Sequence, residues 1–364
     1  MKHKKAVIEV SFSWVFMIII GTFFIILSYN IISKYQENQE LQSQIQLRLT
    51  LRNIFNKVGR TSGVEENSLT PLNKIFSGSE VRTECVDSYS VLYVDNVPDV
   101  NNEYLKNYPL VSNYIKFKNN DDAFLAVENF RLPFKITNIM AITSKRNLIV
   151  FDNNSKISKD LIKKFQSTSY ASLNYVAVDF KDLTGFYDTN IYKKELSTVV
   201  FVSDYGVNPN NLKINSDIKY HFVKINKNSD FYGEISFYDI NGKTKSFKYI
   251  DYEKSLVLPT ISLFANMDSF ECAYGKIVEN VNLNYDFFIE KAKKYEDSKK
   301  NICIDSFNPD NQKSYYSSVR EKMNSIKNII KNDKFNNPEN LKNSIDSLNE
   351  LNFKLEEYSC PCVY

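Results

Sequence analysis

Hydrophobic and polar positions divide the chain into four stretches. From Ala6 to Ile32 nearly every position is apolar and only Glu9 is charged. As a helix, the 18 residues from Val10 to Leu27 cover about 27 Å, close to the ~30 Å hydrocarbon thickness of a bilayer. The pattern predicts a membrane-spanning helix over 7–33. Lys2, Lys4 and Lys5 precede it, and basic residues resist translocation, so residues 1–6 are expected in the cytoplasm and the chain beyond residue 33 on the far side of the cell membrane. A cleaved secretory signal is the competing reading. Its apolar core usually runs only ~7–15 residues, and no small-x-small site follows Leu27.

The second stretch, 34–60, has no glycine or proline between Gly21 and Gly59. Leu47, Leu51, Ile54 and Val58 recur at a 4-3-4 spacing, which lays one apolar stripe along a helix. Gly59 suits its C-cap. A single helix from Val7 to Val58 would be about 78 Å long, with its second half amphipathic and its apolar stripe suited to a partner surface such as the last helix of the chain.

These features resemble one known family. The short basic leader, the junction Lys5-Ala6 followed by Val7-Ile8, and the apolar helix running on into an amphipathic half are similar to type IV pilins and pseudopilins of the archaeal kind. The resemblance covers the first 58 or so residues of the chain. It implies that a prepilin peptidase cuts between Ala6 and Val7, and that the apolar helices bundle into a filament core with further copies or with other pilin-like subunits. Many pilins place a glutamate fifth in the mature chain to pair with a neighbour's amino terminus; Glu9 would stand third. So near the membrane face, its carboxylate also reaches the interface or Lys5 without entering the bilayer centre.

In the third stretch, 76–260, the pattern changes to short β-rich runs. Ser90–Val94, Asn147–Asp152, Asn174–Phe180, Thr198–Ser203 and Ile218–Ile225 read as strands. Asn147–Asp152, a helical stretch near Ile157–Gln166 and then Asn174–Phe180 give a strand, helix, strand order suited to a parallel crossover. The runs are continuous rather than alternating, which predicts strands buried on both faces. Ile235–Ile240 and Lys243–Ile250 flank Asn241-Gly242, the preferred dipeptide of a tight hairpin. A mixed sheet in an α/β or α+β domain follows. In the fourth stretch, 266–364, helices are predicted over Phe270–Tyr295, Lys313–Lys331 and Pro338–Glu357, with Pro338 in a first turn. Together they make a helical hairpin or bundle, with Leu341, Ile345, Leu348, Leu351 and Leu355 as one apolar stripe.

Five cysteines, Cys85, Cys272, Cys303, Cys360 and Cys362, are free to oxidise outside the cytoplasm. A helix between Cys272 and Cys303 would hold them about 40 Å apart, far beyond the ~7 Å limit for a bridge. Cys303 with Cys360 or Cys362 is the first pairing expected and Cys85 with Cys272 the second, leaving one thiol over. Cys360-Pro361-Cys362 lacks the redox-active Cys-x-x-Cys spacing.

Composition narrows the chemistry. The net charge of +3, from 46 basic and 43 acidic residues among 364, and the dispersed lysines argue against a nucleic-acid partner. With 26 Phe and 24 Tyr beside 9 Gly and 9 Pro, the chain has the makings of an ordered core. Only His3 and His221 are present, too few for a multi-histidine metal site, and the glycine that Gly242-Lys243-Thr244 would need to complete a phosphate loop is Phe237. Asn153-Asn154-Ser155 is a formal glycan acceptor. The one acidic constellation is Asp152, Asp179 and Asp204, each at or just past the carboxyl end of an apolar strand. Carboxylates there suit Mg²⁺ or Ca²⁺, and equally cap loops and helices. The sequence points to a non-enzymatic, single-pass surface protein without a cofactor, acting by assembly or adhesion. An anchored ligand-binding or sensor ectodomain and a divalent-metal hydrolase are its rivals.

Overall fold

A computed structural model of the chain describes residues 17–35, 49–50, 53–54, 68–71, 80–86, 89–94, 97–98, 109–117, 123–181, 183, 195–207, 212, 217–240, 242–298, 307–308, 313–358 and 360–364. The chain divides into two units, Met1–Ile54 and Phe55–Tyr364. In the first, the apolar run forms a helix, α1, over Met17–Tyr35. Of the amphipathic stretch, residues 49–50 and 53–54 are helical. Its remainder, its cap at Gly59 and its expected docking on the last helix lie outside the described residues.

The second unit is α+β. Its strands are β1 (Ser68–Pro71), β2 (Glu80–Val86), β3 (Tyr89–Val94), β4 (Val97–Pro98), β5 (Leu110–Ser112), β6 (Ile115–Lys116), β7 (Ala123–Arg131), β8 (Lys135–Ser144), β9 (Asn147–Asp152), β10 (Tyr175–Val178), β11 (Thr198–Ser203), β12 (Lys219–Lys227), β13 (Tyr232–Tyr238) and β14 (Thr244–Ile250), with the short pair β15 (Phe307–Asn308) and β16 (Lys313–Ser314). The helices are α2 (Lys156–Ser167), α3 (Val257–Ser262), α4 (Met267–Asp297), α5 (Tyr315–Asp333) and α6 (Pro338–Glu357).

The main sheet has the order β10-β9-β11-β12-β13-β14. β9 runs parallel to both β10 and β11, β11 runs parallel to β12, and the last two strands turn antiparallel. The mixed sheet expected from the sequence is present. Every residue of β9 and β11 is buried, because each face has its own core. Ile149, Phe151, Val200, Val202, Val223 and Ile225 face α2 and the C-terminal helices. Leu148, Val150, Val199, Phe201, Tyr220 and Phe222 fill the opposite side. β10 departs from expectation: among the described residues it is an edge strand, and it is only half-buried. The β13–β14 connection is also longer than the tight turn expected at Asn241-Gly242. The last paired residues are Tyr238 and Thr244, and Asp239 closes the loop by donating its N–H to the Lys243 carbonyl and accepting the Lys243 N–H at 2.9 Å. Gly242 supplies the positive φ, +82°.

Two antiparallel sheets, β1-β7-β8-β5 and β4-β3-β2-β6, complete the β portion, with β5 alone running parallel to β8. The helices form where their caps and stripes dictate. Ser155 caps α2, and Ile157, Leu161 and Phe165 bury one side of it. Asn266 and Ser269 close a capping box on α4, with the Asn266 side chain accepting the Ser269 N–H at 2.8 Å. At 31 residues, α4 is about 46 Å long. Pro338 occupies the first turn of α6. α5 packs on both α4 and α6, and their buried faces join the core of the main sheet.

Candidate functional site

The sequence marks three places: the apolar helix, the cysteines and the aspartates at the strand ends. Helix α1 is 19 residues long, none of it buried, and apolar enough to cross a membrane. Its side chains stand open, with Phe23, Ile25 and Ile31 each at least 60 % exposed. In hydrocarbon, polar side chains must find partners within the chain. Here the Thr22 hydroxyl donates to the Ile18 carbonyl at 2.8 Å and the Ser33 hydroxyl to the Asn30 carbonyl at 3.1 Å. A helix of this kind is an anchor or a signal sequence by length and composition. Ala6, Val7 and Glu9 lie outside the described residues.

The bridge Cys85–Cys272 is formed, with its Cα atoms 5.3 Å apart, and ties β2 to the second turn of α4 across 187 residues. This was the second pairing expected. Cys360 is also disulfide-bonded, while Cys362 is a free, half-buried thiol, so pairing through Cys362 does not occur. Cys303 lies outside the described residues.

The three aspartates stand on one edge of the main sheet. The chain leaves β9 through α2 to β10 on one side and returns to β11 on the other, so the topological switch falls between β9 and β11. Asp152 ends β9 and Asp204 follows β11 at that crevice, where α/β sheets gather ligands. Each carboxylate is engaged by backbone. Asp152 Oδ1 accepts the N–H groups of Asn154 and Phe180 at 3.2 and 3.4 Å, Asp179 accepts Lys181 N–H at 2.9 Å, and Asp204 accepts the first N–H of α2, from Lys156, at 3.2 Å. The Lys181 amide and the Asn154 side chain hold Asp179 below the usual carboxylate range. Nearby, partial burial, a hydrogen bond to Asp152 and the charges of Asp152, Asp179 and Asp204 raise the Tyr205 hydroxyl. Asp152 Oδ2 is buried without a partner. Among the described residues, no three His, Cys, Asp or Glu side chains form a group that could hold a metal ion. The geometry is that of caps on strand and helix ends.

His221 sits half-buried on β12 with Nε2 unpartnered. Burial, with Lys219 adding to it, lowers its pKa to about 4, so its ring is neutral at physiological pH. Sequence reasoning missed a buried cluster between α2 and β7. Lys164 of α2 bonds Glu128 of β7 at 3.0 Å and the Ser255 carbonyl at 2.8 Å, and the Tyr170 hydroxyl donates to Glu128 at 2.9 Å. Burial, reinforced by Glu128, raises the Tyr170 hydroxyl well above its usual range. These residues are far apart in sequence, and no spacing rule connects them. Compared with protein families, curated proteins and solved structures, the chain matches none of them.

Proposed function

We propose that the chain is a single-pass, membrane-anchored surface protein whose folded unit stands outside the cell membrane and which acts by lateral assembly or adhesion, without catalysis. The observation that carries this reading is α1, an apolar helix of membrane-spanning length with none of it buried, which belongs to a unit separate from the folded α+β portion. The Cys85–Cys272 bridge supports it, since structural disulfides persist in oxidising compartments. The basic residues before the apolar run support the orientation. The resemblance of the first residues to archaeal-type pilins supports assembly through the apolar helix, with subunits of the same or similar kind as partners. The strand-end aspartates are engaged as caps, which favours a structural reading of that edge.

The amino-terminal mass of the purified protein tests the pilin-like part of this reading. A chain beginning at Val7 is the expected result. A chain retaining residues 2–6 would overturn assembly by the pilin route.

A further inference from the structure

We infer that the cleft beside the open edge of the main sheet is a docking site for an extended peptide segment of a partner protein, which joins the sheet at β14 through backbone hydrogen bonds. Among the described residues β14 is the last strand in its sheet. In an antiparallel ladder alternate residues turn their backbone groups toward the neighbouring strand. Lys243 and Asp251, which bracket β14, both bond toward the β13 side: the Asp239 N–H donates to the Lys243 carbonyl, and the Asp251 N–H to the Phe231 carbonyl. Residues of the other parity, Thr244, Ser246 and Lys248, therefore direct N–H and C=O outward. The structure agrees, because the Lys248 carbonyl accepts the Tyr274 hydroxyl of α4 at 2.7 Å. The N–H groups of Ser246 and Lys248 and the Ser246 carbonyl have no backbone partner among the described residues, and Ser246 is exposed.

These groups open into a cavity of about 720 Å³ that is lined by Ser246, Phe247 and Lys248 and walled by α4 and by Cys85 of β2. Helix α4 runs alongside the edge: Glu271 pairs with Lys245, and Tyr274 bonds the carbonyls of both Lys248 and Lys334. The Cys85–Cys272 bridge fixes β2 to the same helix. The edge is therefore recessed. A single extended segment needs only the space beside this one edge, whereas a second copy would have to bring a whole folded unit to it; the recessed edge favours the segment, the arrangement of strand addition to a sheet edge.

Charge defines the occupant further. Glu84, Glu271 and Lys248 are already paired, with Arg82, Lys245 and Glu234. Asp268, one turn before Glu271, and Lys334, beside Lys248, face the cavity with no salt-bridge partner among the described residues. The complementary segment spans about five residues at ~3.4 Å each, with a cationic side chain toward Asp268 and an anionic one toward Lys334. This surface is independent of how the chain is anchored.

The test is a displayed library of linear nine-residue peptides panned against the detergent-solubilised full-length protein, with amide hydrogen exchange on the bound complex. Enriched peptides are expected to protect the Ser246 and Lys248 amides. They are expected to bind Ser246→Pro about tenfold more weakly or worse, since proline removes the outward N–H and leaves the ladder to β13 intact. The double variant Asp268→Lys, Lys334→Glu, which leaves the strand unaltered, should lose the same peptides and enrich others of reversed charge. No enriched peptide, or peptides indifferent to the charge reversal, would overturn the proposal. So would amides already protected without peptide: protection at every protein concentration would assign the edge to a segment of the same chain, and protection only at high concentration would assign it to a second copy.

Discussion

Glu128 lies on β7 with its side chain 1 % exposed, and its charge is balanced by Lys164, itself 10 % exposed. A buried ion pair of this kind adds little net stability over an apolar pair, but removing one partner strands the other. Lys164→Met should therefore lower stability by ~3–5 kcal/mol, and adding Glu128→Gln should recover part of the loss, as read from the two unfolding midpoints and their double-mutant coupling. His221 sets a pH dependence of defined sign. Its folded-state pKa is lowered from 6.5 to about 4, so across that window the unfolded chain binds the proton more readily. The stability present above 6.5 is lost as pH falls toward 4. Urea unfolding at pH 7 and pH 4.5 should show a smaller acid loss for His221→Phe than for the native chain. Neither cluster is legible in the sequence: Glu128 and Lys164 are 36 residues apart, and the neutrality of His221 depends on packing around β12.

At the scale of elements, the legible ones are those whose signal is carried by a continuous apolar run or by a cap. Asn147–Asp152, Thr198–Ser203 and Pro338–Glu357 have the bounds read from the sequence. The first two lie between two cores, so no polar position interrupts them, and the third is marked by its opening proline. The β7–β8 hairpin was not legible as such. Its strands pair through nine residue pairs, yet Pro133 between them punctuates the run, and Glu128 breaks its apolar pattern for two partners, Lys164 and Tyr170, visible only after folding. The Asn-Gly dipeptide located the β13–β14 hairpin but not its length, because Asp239 draws the loop closed from two residues earlier. In the same hairpin Gly233 lies beneath a ring. A Cβ there would overlap the Asn226 carbonyl and stand 2.6 Å from the Tyr249 ring. Gly233→Ala should cost ~1–3 kcal/mol, measured by thermal unfolding, and adding Tyr249→Leu should leave most of the loss in place, because the tighter contact is with the Asn226 backbone carbonyl.

At the scale of the whole molecule, two units carry two kinds of information. The apolar helix was plain from hydropathy alone, and its structure adds that none of it is buried. The helical bundle and mixed sheet were legible in kind, whereas the two antiparallel sheets beside the main one were not distinguished within the β-rich stretch. Cysteine pairing was legible only as alternatives, since connectivity depends on which strand packs against which helix: Cys85 reaches Cys272 because β2 packs on α4. The strand-end aspartates were correctly placed at the carboxyl edge of the sheet, and the structure shows what sequence left open, that each is engaged by backbone N–H groups. The cleft at β14 had no sequence signature, because its donors and acceptors are backbone groups left over by the strand order.

The central claim is that the folded unit lies outside the cell membrane, held by α1. The free thiol of Cys362 reports on it directly. A membrane-impermeant maleimide applied to intact cells producing the full chain should label the protein, and Cys362→Ser should abolish that labelling. Labelling of Cys362 that appears only after the cells are lysed would contradict the account.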